Sequence, residues 1–237
     1  MGEVCPCETI RSTVTWAAET RRPIRGWQTD SVITSRPTFS PDGRTSLVGC
    51  ESGVARFWDT ATGNPVGEPL PNQGHALCAA YSPDGRTVLT GAKSGTAQLW
   101  DAASGRPIGP PLAHPLEVWG AAFSPDGRVV ATCCHDGRAR FWEATSGRPI
   151  GPPLPHGNVL LTAAFSPDGR SLLTACWDGH ATVWPVPGPV SGSAEQVRLR
   201  AELATGMRLD ADGAVRMLAA AEWHERKASH DRITMSR

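Results

Sequence analysis

One hexapeptide sets the beat of this chain. Phe123-Ser-Pro-Asp-Gly-Arg128 recurs as Phe39 to Arg44, as Phe165 to Arg170 and, led by tyrosine, as Tyr81 to Arg86, so each copy begins 42 residues after the last. Trp16, Trp58, Trp100, Trp142 and Trp184 keep the same step of 42 residues. A fixed period of roughly 40–45 residues with a tryptophan closing a strand marks a radial array of small antiparallel sheets, in which no unit buries its faces alone.

The repeat from 114 to 154 reads strand by strand. Val118 to Phe123 is a short apolar run, strand a, with small residues at Ala121 and Ala122 that recur at Ala79-Ala80 and Ala163-Ala164. Small side chains suit strands crowded near the axis of a β-propeller. Ser124-Pro125-Asp126-Gly127 has the chemistry of a type I turn, since proline presets φ at its second position and glycine closes the fourth. Val129 to Cys134 follows as strand b, Asp136-Gly137 as a hairpin turn, Ala139 to Trp142 as strand c and Pro149 to Leu154 as strand d. Proline cannot donate to a ladder, so Pro149, Pro152 and Pro153 place strand d at the outer edge. Pro107, Pro110, Pro111, Pro65 and Pro69 repeat that argument.

Four a-b-c units begin near Val32, Ala76, Val118 and Val159, and a half blade precedes them, with Thr13 to Trp16 as a strand c and Pro23-Ile24 opening a strand d. After Trp184 the sequence Pro185-Val-Pro-Gly-Pro-Val190 cannot continue the pattern. The fold class expected is all-β: a partial or open propeller of about five blades of four-stranded antiparallel sheets with a small helical C-terminal cap. The divisions expected are a disordered N-terminus over 1–11, a half blade over 12–28, blades over 29–71, 72–113, 114–155 and 156–190, and the cap over 191–237. In the tail, Ser193-Ala-Glu-Gln196 is a capping box opening a helix through Ala204. Asp212-Gly213 is a turn between two short apolar pieces, and a second helix runs from Ala219 to Ser229 around Trp223.

The bulk chemistry excludes some partners. With 23 basic and 23 acidic residues the formal charge is zero, which supports neither a nucleic acid nor an anionic membrane as partner. No run of about 18 apolar residues exists and the first residues form no secretory signal, so the cytoplasm is the expected location. The seven cysteines include Cys50, Cys134 and Cys176 in one position of the repeat, where they read as small buried hydrophobes. Cys5-Pro-Cys7 has no second ligand pair at zinc spacing, so no metal and no cofactor is expected.

With Ser-Pro-Asp-Gly turns, Asp-Gly or Ser-Gly turns between strands b and c, and an apolar residue before each tryptophan (Phe57, Leu99, Phe141, Val183), residues 10 to 190 resemble the WD-repeat (WD40) family. The Trp-Asp pair is intact at Trp58-Asp59 and Trp100-Asp101 and becomes Trp142-Glu143 and Trp184-Pro185 later. The resemblance implies a structural network in which His114 and His156 join Asp136, Asp178 and the tryptophans Trp58, Trp100, Trp142 and Trp184. Asp30 and Asn72 hold the histidine position earlier, and Ser52 and Ser94 the aspartate position, so the second half of the array should be the better braced. The tail, Val197 to Gly213 with Trp223-His-Glu-Arg226, looks like the segment that ends many bacterial WD-repeat proteins, some of which carry a serine/threonine kinase domain upstream.

No catalytic constellation is visible: there is no phosphate loop, no kinase loop and no nucleophile elbow. Asp42, Asp84, Asp126 and Asp168 recur in turns where aspartate bonds locally, and the repeat spacing makes His114 and His156 structural. The positions that vary between blades are the informative ones. They are Glu51, Lys93, His135 and Trp177 before the b–c turn, and Ser35, Leu77, Trp119 and Leu161 in strand a. In the family both positions line one rim, which implies a partner-binding surface of Lys93, Trp119, His135, Leu161 and Trp177 for a protein or peptide. Two readings of Trp119 and Trp177 stand at this point, rim anchors or packing between blades. The function expected is a non-catalytic protein-protein interaction scaffold. The alternative is a detached C-terminal regulatory region of a bacterial kinase, and open edges left by a cut propeller would invite self-association or completion by further blades.

Overall fold

The structure, a computed structural model, describes residues 12–16, 23–187, 202, 207–209, 215–219 and 221–227. The chain divides into two compact units, Met1–Val186 and Pro187–Arg237. In the first, β1 (Ser12–Trp16) and β2 (Pro23–Gln28) form a two-stranded sheet, the half blade. Three four-stranded antiparallel blades follow: β3 (Thr38–Phe39) to β6 (Pro65–Pro71) through β4 (Thr45–Gly49) and β5 (Val54–Asp59); β7 (Ala76–Tyr81) to β10 (Pro107–Ala113) through β8 (Thr87–Ala92) and β9 (Thr96–Asp101); and β11 (Val118–Phe123) to β14 (Pro149–Pro155) through β12 (Val129–Cys134) and β13 (Arg138–Glu143). The fourth blade has three strands, β15 (Leu160–Phe165), β16 (Ser171–Cys176) and β17 (Ala181–Pro185). This is a partial, open propeller.

The turn chemistry sets the a–b corner of every blade. In the third, Ser124 Oγ donates to Asp126 Oδ1 at 2.6 Å, and the same oxygen accepts the Arg128 N–H at 3.1 Å. Asp42, Asp84 and Asp168 repeat the arrangement. The serine hydroxyl first, then the backbone N–H, holds each of these carboxyls below the ordinary range. The outer strand keeps its proline-rich sequence because its ladder is interrupted: β13 and β14 pair at Phe141–Ile150 and again at Ala139–Leu154, with Gly151 at φ 69° in the gap.

The first full blade departs from the repeat. Its strand a is only Thr38–Phe39, preceded by an isolated bridge between Ile33 and Cys50. Pro37 stands where Ala79 and Ala121 stand in the next blades, and a residue without an N–H cuts the ladder there.

The core lies between successive blades. Leu47, Phe57 and Leu70 of the first pack with Ala76, Val88 and Trp100 of the second. Leu89, Leu99 and Leu112 then meet Val118, Val130 and Trp142 of the third, and Ala131 and Phe141 meet Leu160 and Leu172 of the fourth. Each fully buried aliphatic side chain is worth about 1.5–3 kcal/mol. Ser46 breaks this pattern, standing where the other blades have Val88, Val130 and Leu172. It is fully buried, and its hydroxyl has no hydrogen-bond partner among the described residues. Ser46→Val is therefore expected to stabilise the chain by about 1–2 kcal/mol, read as a raised urea midpoint at unchanged slope. An unchanged or lower midpoint would count against this reading.

In the second unit β18 (Met207–Leu209) pairs with β19 (Val215–Met217), and 221–227 form a helix, α1. The tail is thus not purely helical: Met207, Leu209, Val215 and Met217 alternate with Arg208 and Arg216, a period of two that favours strands. The expected second helix is present as these seven residues, with the Trp223 N–H bonded to Ala219 O at 2.9 Å and Arg226 paired with Glu202. The expected N-terminal segment 1–11 with Cys5 and Cys7, the capping box at 193–196 and the Asp212-Gly213 turn lie outside the described residues. Among the described residues no helix is long and apolar enough to cross a membrane.

Candidate binding rim

A bulge at the start of strand a builds this end of the blades. Pairing between strands a and b slips between Ala76 and Cys78, between Val118 and Gly120, and between Leu160 and Thr162. The extra residue is Leu77, Trp119 or Leu161, and a bulge of this kind re-aims the side chain it carries. Two residues before each bulge, a carbonyl accepts the N–H of the residue ahead of the b–c turn: His75 O from Lys93 at 2.9 Å, Glu117 O from His135 at 2.8 Å, and Val159 O from Trp177 at 2.9 Å. Lys93 is thereby paired with Leu77, His135 with Trp119, and Trp177 with Leu161, at the same end of each sheet.

Neighbouring turns abut. Gly95 takes φ +84°, and a Cβ on it would stand 2.7 Å from His114 O and 3.0 Å from Leu116 O, so the b–c turn of one blade lies against the connector into the next. Gly137 meets His156 O and Asn158 O in the same way. Trp119 and His135 have ring centroids 6.3 Å apart, and Trp119 Nε1 donates to Glu117 Oε2 at 3.0 Å. Trp119 is 38% exposed and Trp177 72%, so neither is consumed by packing between blades. Leu161 is half-buried, while Lys93 and His135 are exposed. Leu116, 48% exposed, and Glu117 also belong to this end. They lie in a connector, outside the strand a and b–c turn positions compared between blades, and the bulge that brings them to this end is a property of strand pairing.

Below the rim runs a chain of hydrogen bonds with a fixed direction. In the third blade Trp142 Nε1 donates to Thr132 Oγ1 at 2.8 Å, and Thr132 Oγ1 lies 2.8 Å from His114 Nε2. His114 Nδ1 lies 2.9 Å from Leu112 O, and a carbonyl only accepts, so the ring proton sits on Nδ1 and Nε2 accepts from Thr132. The imidazole is neutral, and burial, reinforced by the Arg140 charge, depresses its pKa to about 4. The fourth blade joins Trp184, Thr174 and His156 at 3.0 Å. The second blade does the same with an amide: Trp100 Nε1 donates to Thr90 Oγ1 at 2.8 Å, Thr90 to Asn72 Oδ1 at 2.6 Å, and Asn72 Nδ2 to Leu70 O at 3.1 Å. Asn72 thus replaces a histidine without loss, and the second blade is braced as the third is. Only the first blade departs, with Val48 in place of the threonine beside Trp58.

The aspartates stand apart from that chain. Arg140 grips Asp136 with Nη1 at 3.2 Å and Nη2 at 2.6 Å, both side chains nearly buried. Burial would raise the Asp136 pKa, but the guanidinium outweighs it and holds the carboxyl below its usual range. Asp178 instead accepts the His180 N–H at 3.0 Å. With His114 Nδ1 committed to Leu112 O and His156 Nδ1 at 3.4 Å from Cys176 Sγ, neither aspartate bonds the histidine of its own blade's chain, and Asp178 also lies 3.2 Å from His180 Nδ1. Cys50, Cys78, Cys133, Cys134 and Cys176 are buried free thiols, and burial pushes that of Cys78 up to about 12. Among the described residues no three metal-ligating side chains cluster.

The family model for the WD domain, G-beta repeat, matches residues 67–101, 105–143 and 153–185. Each match starts within a strand d or just ahead of it and runs through strands a, b and c of the next sheet. The a–c strands of the first blade, with Pro37, Ser46 and Val48, fall outside. No curated protein matches the chain in sequence. Among solved structures, the crystal structure of the computationally designed Ika4 protein is similar with a TM-score of 0.59 and 22% identity, over 67% of this chain and 94% of that one. At that identity the likeness is one of fold.

Proposed function

We propose that this chain, which carries three WD40 repeats between residues 67 and 185, is a non-catalytic scaffold that binds a protein or peptide partner on the rim carrying Lys93, Trp119, His135, Leu161 and Trp177. WD40 propellers are generally protein-interaction modules, and the observation that carries the reading here is Trp177, 72% exposed on a turn fixed by the repeat. Trp119, 38% exposed, stands at the same end of the neighbouring blade, and tryptophan is among the residues enriched at interface hot spots. The partner is a polypeptide rather than a nucleic acid or membrane, since the chain has no net charge to attract either. The reading includes a cytoplasmic location, no cofactor, and residues 191–237 serving as a terminal cap to the repeats at 12–190. The kinase-region alternative rests on the tail sequence alone.

The test is selection of binders from displayed random peptides on the purified chain, followed by titration of Trp119→Ala, Trp177→Ala and, as a control at the opposite end of the blade, Arg128→Ala. Each tryptophan variant is expected to lose about 2 kcal/mol of binding, about thirtyfold in affinity, with the control unchanged. Binders that tolerate both tryptophan variants would sink the rim reading.

A further inference from the structure

Between the first and second blades, at the end of the sheets opposite the rim, lies a cleft of about 340 Å³. Its walls come from the outer strand β6, the a–b turns of both blades and the c–d turn of the second. Two of its residues break the 42-residue repeat. Tyr81, the chain's single tyrosine, stands where the other copies have Phe39, Phe123 and Phe165, and Glu68 stands where the next blades have Pro110 and Pro152. Phenylalanine and proline serve the frame at those positions, so the frame asks for neither the phenol nor the carboxylate, and both border one cleft. The Tyr81 hydroxyl lies 2.9 Å from Thr45 Oγ1 across the blade interface, and the Tyr81 ring is 6.2 Å from that of Phe57 at 54°. Val66, 40% exposed, adds an aliphatic strip.

The charge in this cleft has one sign. Glu68 is exposed, and among the described residues no hydrogen bond or ion pair holds its carboxylate. The turn aspartates Asp42 and Asp84 stand beside it, each with Oδ1 committed to its own serine and a backbone N–H. No basic side chain lines the cleft, and Arg44 meets Asp42 only at Oδ2, at 3.8 Å.

We propose that this cleft binds a guanidinium group on an aliphatic arm, carried by a free small molecule or by an arginine of a partner. The planar fork of a guanidinium meets a carboxylate with two parallel N–H bonds, which Glu68 has both oxygens free to accept, and its weak hydration suits it to an aromatic wall such as Tyr81. The arm then lies along Phe57 and Val66. A volume at the low end of ligand pockets, which run from about 300 to 1,000 Å³, suits a group of this size. The cleft between the second and third blades has Pro110 and Phe123 in the two positions, so one site per chain is expected.

Titration of the full chain, followed by NMR of its backbone amides, tests this with three probes: n-butylguanidine, an acetyl-Gly-Arg-Gly-amide peptide, and the same peptide with uncharged citrulline for arginine. At least one guanidinium probe is expected to saturate a single site, shifting the amides of Glu68 and Tyr81, with the citrulline peptide about tenfold weaker or more. Saturation by butylguanidine marks a free ligand, and saturation by the peptide alone marks a partner's arginine. Glu68→Gln removes the charge at constant shape and should weaken binding about tenfold. Glu68→Pro and Tyr81→Phe restore the residues of the other blades, so they keep the fold and should each weaken binding, while Trp177→Ala at the rim should not. The proposal is overturned if neither guanidinium probe saturates by about 10 mM, if citrulline binds equally, if two equivalent sites fill, or if the Glu68 variants bind as the wild type does.

Discussion

Trp142→Ala is expected to destabilise the chain by about 3–5 kcal/mol, a third or more of what a domain of this kind holds in reserve. The indole fills the space between the second and third blades against Leu89, Leu99 and Val130, and its N–H starts the bond chain through Thr132 to His114. Alanine would leave a cavity and remove the donor together. Trp142→Phe separates the two effects: it keeps most of the packing and is expected to cost about 1 kcal/mol for the lost hydrogen bond. Urea unfolding followed by circular dichroism reads both. An alanine variant within about 1 kcal/mol of wild type would mean that the blades are not held together at this contact.

Acid should unlock the third and fourth blades. His114 titrates at about 4 in the folded chain against 6.5 for an ordinary histidine. Between those values the unfolded chain binds more protons than the folded one, so the stability this histidine contributes is complete above pH 6.5 and drains away as the pH falls toward 4. The loss is about 3 kcal/mol. The geometry gives the reason: a proton on Nε2 turns the acceptor of Thr132 into a second donor and breaks the chain to Trp142. Arg140 opposes that proton and Asp136 favours it less strongly. His156, depressed by burial, acts in the same direction. His114→Asn, which copies Asn72, should match the wild type at pH 7 within about 1 kcal/mol and flatten much of the acid slope. Thermal midpoints measured across this range decide it; an equally steep slope in the variant would place the acid sensitivity elsewhere.

Most of the blade was legible because its signals are local. Ser124-Pro-Asp-Gly127 fixes a corner by its own hydrogen bonds, and the prolines of β14 declare an edge whatever packs around them. Strands read as 118–123 and 129–134 are found there. Pro37 was equally legible in principle, since it sits in a slot that repeats as alanine. The bulges at Leu77, Trp119 and Leu161 leave no such mark, being a property of pairing between two strands. The roles of Asn72 and Asp136 were hidden for a related reason. Asparagine does a neutral histidine's work only when the neighbours ask for an acceptor followed by a donor. Asp136 turns from the ring because Arg140, four residues on across the b–c turn, reaches it first.

The offset between the matched repeat and the blade also says how such an array changes length. Each repeat supplies the outer strand of one sheet and the three inner strands of the next. Removing one 42-residue period joins the inner strands of one sheet to the outer strand of its successor, as β9 would be joined to β14, and the splice heals into a whole sheet. A seam placed between blades would instead add or remove them as separate beads, linked only by packing. Here every covalent unit is a stitch through two layers, so the fabric can be taken in or let out without fraying at the cut.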